Sequence, residues 1–125
     1  MAFLDFLTTA RLVKARKTAD AARDRRDWAT ALLHYKIATS IDPRSVAIHV
    51  QAGNMAKELG DYVQAQLLYI SAVRLTGIDD IHLQMGHLAK LRGQMAEALW
   101  YYSMAADENP ANGDAEMERD RLQEK

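Results

Sequence analysis

One pattern occurs three times in the sequence, as Ala31-Leu-Leu-His-Tyr35-Lys-Ile-Ala38, Ala65-Gln-Leu-Leu-Tyr69-Ile-Ser-Ala72 and Ala98-Leu-Trp-Tyr-Tyr102-Ser-Met-Ala105. Each copy starts 34 or 33 residues after the one before it, and all three copies have the same internal spacing. Apolar residues three and four positions apart form one stripe along a helix. Pro43, Gly77 and Pro110 follow the three copies at the same distance and mark the helix ends. The sequence therefore predicts an array of helical repeats.

Small residues repeat upstream of the second and third copies. Gly53 and Gly86 are equivalent and predict a close approach of two helices, because a mid-helix glycine otherwise costs about 1 kcal/mol relative to alanine. Gly60 and Gly93 fall where the first helix of each pair should end, and glycine most easily adopts the left-handed conformation found there. Asp61 is then expected to cap the next helix, and Asp27 has the same role in the first copy.

These residues resemble the tetratricopeptide repeat family in their Gly-x-x-Ala, Gly-Asp-Tyr, Ala-x-x-x-Tyr-x-x-Ala and Asp-Pro elements. The resemblance implies an all-α, tetratricopeptide-type α-solenoid of three helix-turn-helix repeats with a C-terminal capping helix. We expect one domain over residues 1–125, with repeats near 12–45, 46–78 and 79–111 and the capping helix at 112–124. We place the helices near 5–25, 28–41, 45–59, 61–75, 79–92, 94–107 and 112–123, with residues 2–11 extending the first helix.

The first repeat departs from the pattern at two positions. Ala19 stands where the mid-helix glycine belongs, and Arg26 stands where the turn glycine belongs. The first helix is therefore predicted to end without the glycine that closes the first helix of the other two repeats.

Composition excludes several classes of function. The chain has 125 residues, no cysteine and a formal net charge of −1, which disfavour a disulfide framework, a thiolate zinc site and a nucleic-acid binder. No apolar run is long enough to span a bilayer, and a membrane partner is disfavoured. We expect a cytoplasmic protein.

Motifs for catalysis or metal binding are not found in the sequence. None of the four histidines pairs at the spacing of a helical zinc site, and no phosphate-binding loop or nucleophile motif occurs. His49 and His82 occupy equivalent columns and are expected to be packed, hydrogen-bonded core residues. We predict no enzyme activity, no cofactor and no metal for this chain.

The family resemblance implies a concave inner wall that is built by the first helix of each repeat and binds a protein or peptide. The side chains expected to face it are those away from the glycine and alanine columns. They are Arg16, Arg23, Val50, Gln51, Asn54, Lys57, Leu83, Gln84, His87 and Lys90. Gln51 matches Gln84, Asn54 matches His87, and Lys57 matches Lys90, so amide and cationic donors repeat along one line. The alternative interpretation is an ordinary solvated helix face.

Some members of this family hold the C-terminal carboxylate of heat-shock chaperones with a Lys/Asn/Lys/Arg set. The corresponding residues in this sequence are Arg16, Asp20, Gln51, Asp80 and Gln84. Because two of them are acidic and would repel a carboxylate, a chaperone-tail adaptor is disfavoured.

A narrower resemblance involves two segments, His49-Val-Gln-Ala-Gly53-Asn-Met-Ala-Lys57-Glu-Leu-Gly60 and His82-Leu-Gln-Met-Gly86-His-Leu-Ala-Lys90-Leu-Arg-Gly93. They look like repeats N-terminal to bacterial glycosyltransferase domains. That resemblance implies a second function, the docking of an acceptor protein for a catalytic domain.

Charge is distributed unevenly along the chain. Residues 11–26 carry seven Lys or Arg and two Asp, whereas residues 107–125 carry seven acids and three bases. This distribution predicts that the basic segment meets nucleic acid, an anionic membrane surface or the acidic end of a second copy, and the alternative is a solvated face. A homodimer through the N-terminal apolar segment (Phe3, Leu4, Phe6, Leu7) or through the chain ends is a further prediction.

Overall fold

The structure of the protein is a computed structural model that describes residues 2–76, 79–111 and 113–124, without the side chains of residues 2–4, 76, 79 and 80. The described residues form seven α-helices and no strand. The helices are α1 (Ala2–Asp24), α2 (Trp28–Ile41), α3 (Val46–Glu58), α4 (Tyr62–Thr76), α5 (Asp79–Leu91), α6 (Met95–Glu108) and α7 (Gly113–Gln123). The prediction of an all-α chain is confirmed, and each helix end lies within three residues of its expected position.

The chain divides into two compact units. The first unit, Met1–Leu68, contains α1 to α3 and the first half of α4, and the second unit, Tyr69–Lys125, contains the rest of α4 and α5 to α7. Gly77 and the side chains of Phe3, Leu4 and Asp80 lie outside the described residues. No described helix is both long enough and apolar enough to cross a membrane.

The cores of both units are built from small residues around a buried tyrosine. In the first unit, α1 contributes the fully buried Ala19 and Ala22, and α2 contributes Ala31 and Tyr35. In the second unit, Tyr102 is fully buried in a cluster that also contains Leu83, Ala89, Ala98, Ala105, Ala106 and Ala115. Tyr101 and Leu122 pack against this cluster. The apolar stripe read from the sequence is therefore the core-facing side of the second helix in each pair.

The close helix approach that Gly86 predicts is present. A Cβ atom on Gly86 would lie 2.5 Å from Cε1 of Tyr102, inside van der Waals contact. Any larger residue at position 86 would have to displace the aromatic ring. The position therefore requires glycine for its packing within the second unit.

The predicted N-caps are confirmed. The Asp27 side chain accepts a hydrogen bond from the Thr30 backbone N–H at 3.2 Å, and Asp61 accepts one from Gln64 at 3.1 Å. These bonds lower the pKa of both carboxyl groups. Ser45 caps α3 in the same way, through the Ile48 N–H at 3.3 Å. Each bond satisfies a backbone donor that the helix cannot pair internally.

The three first helices end with the same backbone conformation, although one of them lacks glycine. Gly60 and Gly93 have φ angles of 80° and 75°, and Arg26 has a φ of 64°. After each of them the next backbone N–H bonds a carbonyl five residues earlier, at 2.9 Å in all three cases. Arg26 therefore closes α1 as the glycines close α3 and α5, in a left-handed conformation that costs a side-chain-bearing residue about 1–2 kcal/mol.

Replacing Arg26 by glycine should stabilise the protein. The substitution relieves the left-handed strain, while the more flexible unfolded chain offsets part of the gain, so we expect the free energy of unfolding to rise by about 0.5–1 kcal/mol. Urea denaturation followed by circular dichroism measures this change. The reciprocal variant Gly60→Arg should lose stability by a similar amount, and an Arg26→Gly variant no more stable than the parent would contradict the strain.

Candidate functional site

The polar side chains of α1 and α3 meet on one surface of the first unit. Arg23 Nη1 of α1 donates to Gln51 Oε1 of α3 at 3.3 Å and to the Tyr35 hydroxyl at 3.1 Å. The same guanidinium pairs with Asp24 at 3.1 Å and lies 3.5 Å from Asp20. Because Arg23 and Gln51 are 28 residues apart, their bond shows that the last turn of α1 lies next to α3, the first helix of the following repeat.

Helix α3 presents the predicted residues on this surface. Its buried side consists of Ile48, Ala52, Gly53, Met55 and Ala56. Val50, Gln51, Asn54 and Lys57 lie outside that buried set and are half-buried. We call the surface formed by Arg16, Arg23, Val50, Gln51, Asn54 and Lys57 the α1–α3 face.

Charge on the α1–α3 face is mixed. Arg16 is exposed and makes no ion pair within the described residues, so its cation is available to a ligand. Arg23 is already engaged by two carboxylates, and Asn54 and Lys57 each make interactions within the protein. The face can therefore offer one free guanidinium together with polar groups that would have to exchange partners.

In the second unit, some of the predicted site residues bond to other residues of the same unit. A hydrogen bond of 2.8 Å joins His87 Nδ1 to the hydroxyl of the buried Tyr102, and the two rings meet edge to face. Burial raises the pKa of Tyr102, and the nearby Glu118 adds to the increase, so the hydroxyl stays protonated. His87 thus has a structural role that the sequence pattern does not reveal.

Lys90 is also engaged within the second unit. Its ammonium donates to Glu118 of α7 at 2.9 Å. This hydrogen bond and the positive charge of Lys90 lower the pKa of Glu118. The capping helix α7 therefore contacts the side of α5 that the sequence assigns to a partner.

One of the ten predicted site residues, Leu83, needs correction, and a second, His87, has an internal partner. Leu83 is only 9% exposed and belongs to the core cluster of the second unit, so it does not present a side chain to a ligand. His87 remains half-exposed, but its bond to Tyr102 means that the column shared by Asn54 and His87 is not reserved for a partner. Gln84 is half-buried and also makes interactions within the protein.

The same column is structural in the first repeat. The Tyr35 hydroxyl donates to Asp20 at 2.5 Å, and burial together with this bond raises the pKa of Tyr35. Asp20 and Tyr35 are 15 residues apart, as are His87 and Tyr102. Sequence analysis missed this link, although a polar residue at a constant distance before each repeated tyrosine was a detectable signal.

The histidines predicted to be packed differ in burial. His82 is 5% exposed, bonds Glu108 at 2.8 Å through Nδ1 and stacks on Tyr101, which confirms the prediction of a packed core residue. His49 is half-buried, and its Nδ1 lies 2.9 Å from the Ser45 carbonyl oxygen. Within the described part of the chain, no three potential ligands are grouped so that they could hold a metal ion.

Solved structures of tetratricopeptide domains match this chain closely in fold. The domain of Arabidopsis OM64 has a TM-score of 0.85 and 18% identity, covering 94% of this chain and 98% of that one. The second such domain of human RPAP3, in complex with an HSP70 peptide, has a TM-score of 0.84 and 14% identity, covering 94% and 99%. The Yersinia enterocolitica type III secretion chaperone SycD, in complex with a peptide of the translocator YopD, has a TM-score of 0.83 and 12% identity, covering 90% and 92%.

The chain therefore has the tetratricopeptide fold, an all-α α-solenoid, as the repeat pattern predicts. No protein-family model matches the sequence, and no curated protein matches it. At these identities the likeness establishes the fold alone. None of the structures named here is a glycosyltransferase, so the narrower resemblance gains no support.

A double-mutant cycle tests the bond between His87 and Tyr102. His87→Leu leaves a buried hydroxyl without its partner and should lower the free energy of unfolding by about 1–3 kcal/mol. The double variant His87→Leu/Tyr102→Phe should lose less free energy of unfolding than the two single variants lose in sum, because both polar groups are then removed. Tyr101→Phe is the matched control on the same helix, and strictly additive single effects would show that the bond contributes nothing.

Proposed function

We propose that this chain is a protein-interaction scaffold that binds an extended peptide segment of a partner on the α1–α3 face. The observation that carries the proposal is the hydrogen bond between Arg23 and Gln51, because it joins two first helices into one polar surface. The fold adds support, since the matching domains of RPAP3 and SycD are in complex with peptides.

The chemistry of the face favours a ligand with acceptor groups. Gln51 and Asn54 carry amides that can bond the main-chain N–H and C=O groups of an extended peptide. Arg16 provides a cation without an ion pair in the described residues, and Lys57 follows Asn54 by three residues on α3 and is half-buried. Val50 adds a half-buried apolar contact. We therefore expect a peptide with at least one acidic side chain close to an apolar one.

A chaperone C-terminal tail fits this surface poorly. Asp20 lies within the face, where it accepts from Tyr35 and lies near Arg23. A terminal carboxylate placed there would meet a negative charge that is already paired. The proposed ligand therefore places its acidic side chain against Arg16 and Lys57 rather than at Asp20.

The second unit is proposed to contribute less to binding. Lys90 is held by Glu118, His87 is held by Tyr102, and Leu83 is buried. A ligand there would have to displace contacts that stabilise the unit. We accordingly omit Leu83 and treat Gln84, His87 and Lys90 as secondary positions.

Two other predictions remain proposals without support from the comparisons. One is the acceptor-docking function in a bacterial glycosyltransferase, and the other is the homodimer. The expected absence of catalysis and the cytoplasmic location likewise stay predictions.

Selection from a library of random displayed peptides tests the proposed function. The immobilised chain should enrich acidic peptides, and their affinity should fall at least about tenfold in the variant Arg16→Glu/Lys57→Glu, equivalent to about 1.4 kcal/mol. Fluorescence polarisation with a labelled selected peptide measures the loss. Lys36→Glu/Arg44→Glu is the matched control, because it makes the same charge change at exposed positions outside the face and should bind normally.

Two results would overturn this function. One is a selection that enriches no peptide although circular dichroism shows the chain to be folded. The other is a set of enriched peptides whose binding survives Arg16→Glu/Lys57→Glu and is lost in Lys36→Glu/Arg44→Glu.

A further inference from the structure

Helix α1 has a second apolar stripe that no described element covers. Its buried side consists of Ala15, Ala19 and Ala22, which are at most 5% exposed. Phe6, Ala10 and Val13 follow a three-to-four spacing on the opposite side, and Phe6 and Val13 are 68% and 44% exposed. Large exposed apolar side chains that align along one helix are a feature of association surfaces.

Positively charged side chains lie on and beside this apolar stripe. Lys17 continues it by one turn, and Lys14 flanks it; both are exposed, and neither makes an ion pair within the described residues. Residues 6–17 also contain Arg11 and Arg16 and no acidic residue. We call the surface formed by Phe6, Ala10, Val13, Lys14 and Lys17 the outer face of α1.

Helix α7 has an exposed apolar side chain that is flanked by acidic residues. Its inner side is fixed by the fully buried Ala115 and by Leu122, which packs on the core of the second unit. Its other side forms a shallow groove of about 320 Å³ lined by Gly113, Glu116, Met117, Asp120, Arg121 and Glu124. Met117 is 47% exposed there, and acids recur every four residues. We call this surface the outer face of α7.

We propose that the outer face of α1 docks on the outer face of α7 of a second copy of this chain. Each face has an apolar centre, and the net charges around the two centres are opposite. The outer face of α7 carries three carboxylates and one guanidinium, that of Arg121, and it stays net negative although Arg119 lies 3.9 Å from Glu116 and 3.3 Å from Asp120. The two segments also match in length, since residues 6–17 and the 11 residues of α7 each span about 17–18 Å of helix. A second copy is the occupant favoured by charge, because each face repels its own duplicate and attracts the other.

The association is head-to-tail, with different surfaces on the two copies. Such a heterologous contact continues from copy to copy until a ring closes or an open chain forms. A contact between two single helices is small compared with stable interfaces, so it is weak and exchanges rapidly. Because exposed charges surround it, added salt weakens it further. This inference is independent of the peptide-binding function, which involves the α1–α3 face of one copy.

Sedimentation velocity over a range of protein concentrations tests the proposal with charge reversals. The wild-type weight-average mass should rise with concentration at low salt and fall back towards the monomer mass at high salt. Lys14→Glu/Lys17→Glu on α1 and Asp120→Lys/Glu124→Lys on α7 should each remain monomeric when alone. An equimolar mixture of the two variants should associate again, because every contact between unlike copies then pairs opposite charges.

Lys36→Glu/Arg44→Glu is the control for net charge, since it changes the charge as much as the α1 variant and should associate like the wild type. Circular dichroism melting checks that every variant is folded. The proposal is overturned if the wild type stays monomeric throughout. It is equally overturned if the wild type associates but neither reversal reduces the association, or if the mixed variants fail to restore it.

Discussion

The packing of a buried tyrosine against the small residues of the preceding helix is the contact on which the rest of the structure depends. In the second unit the ring of Tyr102 lies so close to Gly86 that a single added carbon would be 2.5 Å from it. A helix pair can approach this closely only when one partner lacks a side chain at the crossing.

Because the tyrosine ring is buried, the polar residue that lies next to its hydroxyl group has a structural role. A buried hydroxyl requires a partner, and an unpaired one costs about 1–3 kcal/mol. Asp20 and His87, each one position after the small residue, supply that partner to Tyr35 and Tyr102. Polar side chains that repeat along a first helix are therefore partly structural, and only the rest of the column is left for recognition. For this reason the proposed ligand contacts are centred on Arg16, which makes no ion pair within the described residues, whereas Gln51 and Lys57 would exchange internal partners on binding.

The sequence predicts the fold well because the fold depends on local spacing. The caps at Asp27 and Asp61 and the left-handed turns at Gly60 and Gly93 each depend on one residue type at one position, and all four are found. Arg26 shows the limit of this reasoning, because the closing turn forms there without glycine. All three turns share the same backbone hydrogen bond, whether the left-handed residue is glycine or arginine.

The candidate site is predicted less well, because it depends on contacts between distant segments. Periodicity places Leu83 and Lys90 on the open side of α5, but α7 folds back to bring Glu118 to Lys90, and Leu83 joins the core beside Ala115. A polar capping helix carries too few apolar residues for its docking position to be read from spacing. Periodicity therefore predicts which residues share a helix face, but it does not predict whether another part of the chain covers that face.

The free energy of unfolding of Gly86→Ala tests the central packing contact most directly. An ordinary mid-helix glycine gains about 1 kcal/mol when replaced by alanine, whereas overpacking a tight contact costs about 1–3 kcal/mol. We predict a net loss of stability for Gly86→Ala and none for Gly113→Ala, whose added carbon meets nothing within 4 Å. A Gly86→Ala protein as stable as the parent, or more stable, would contradict the account.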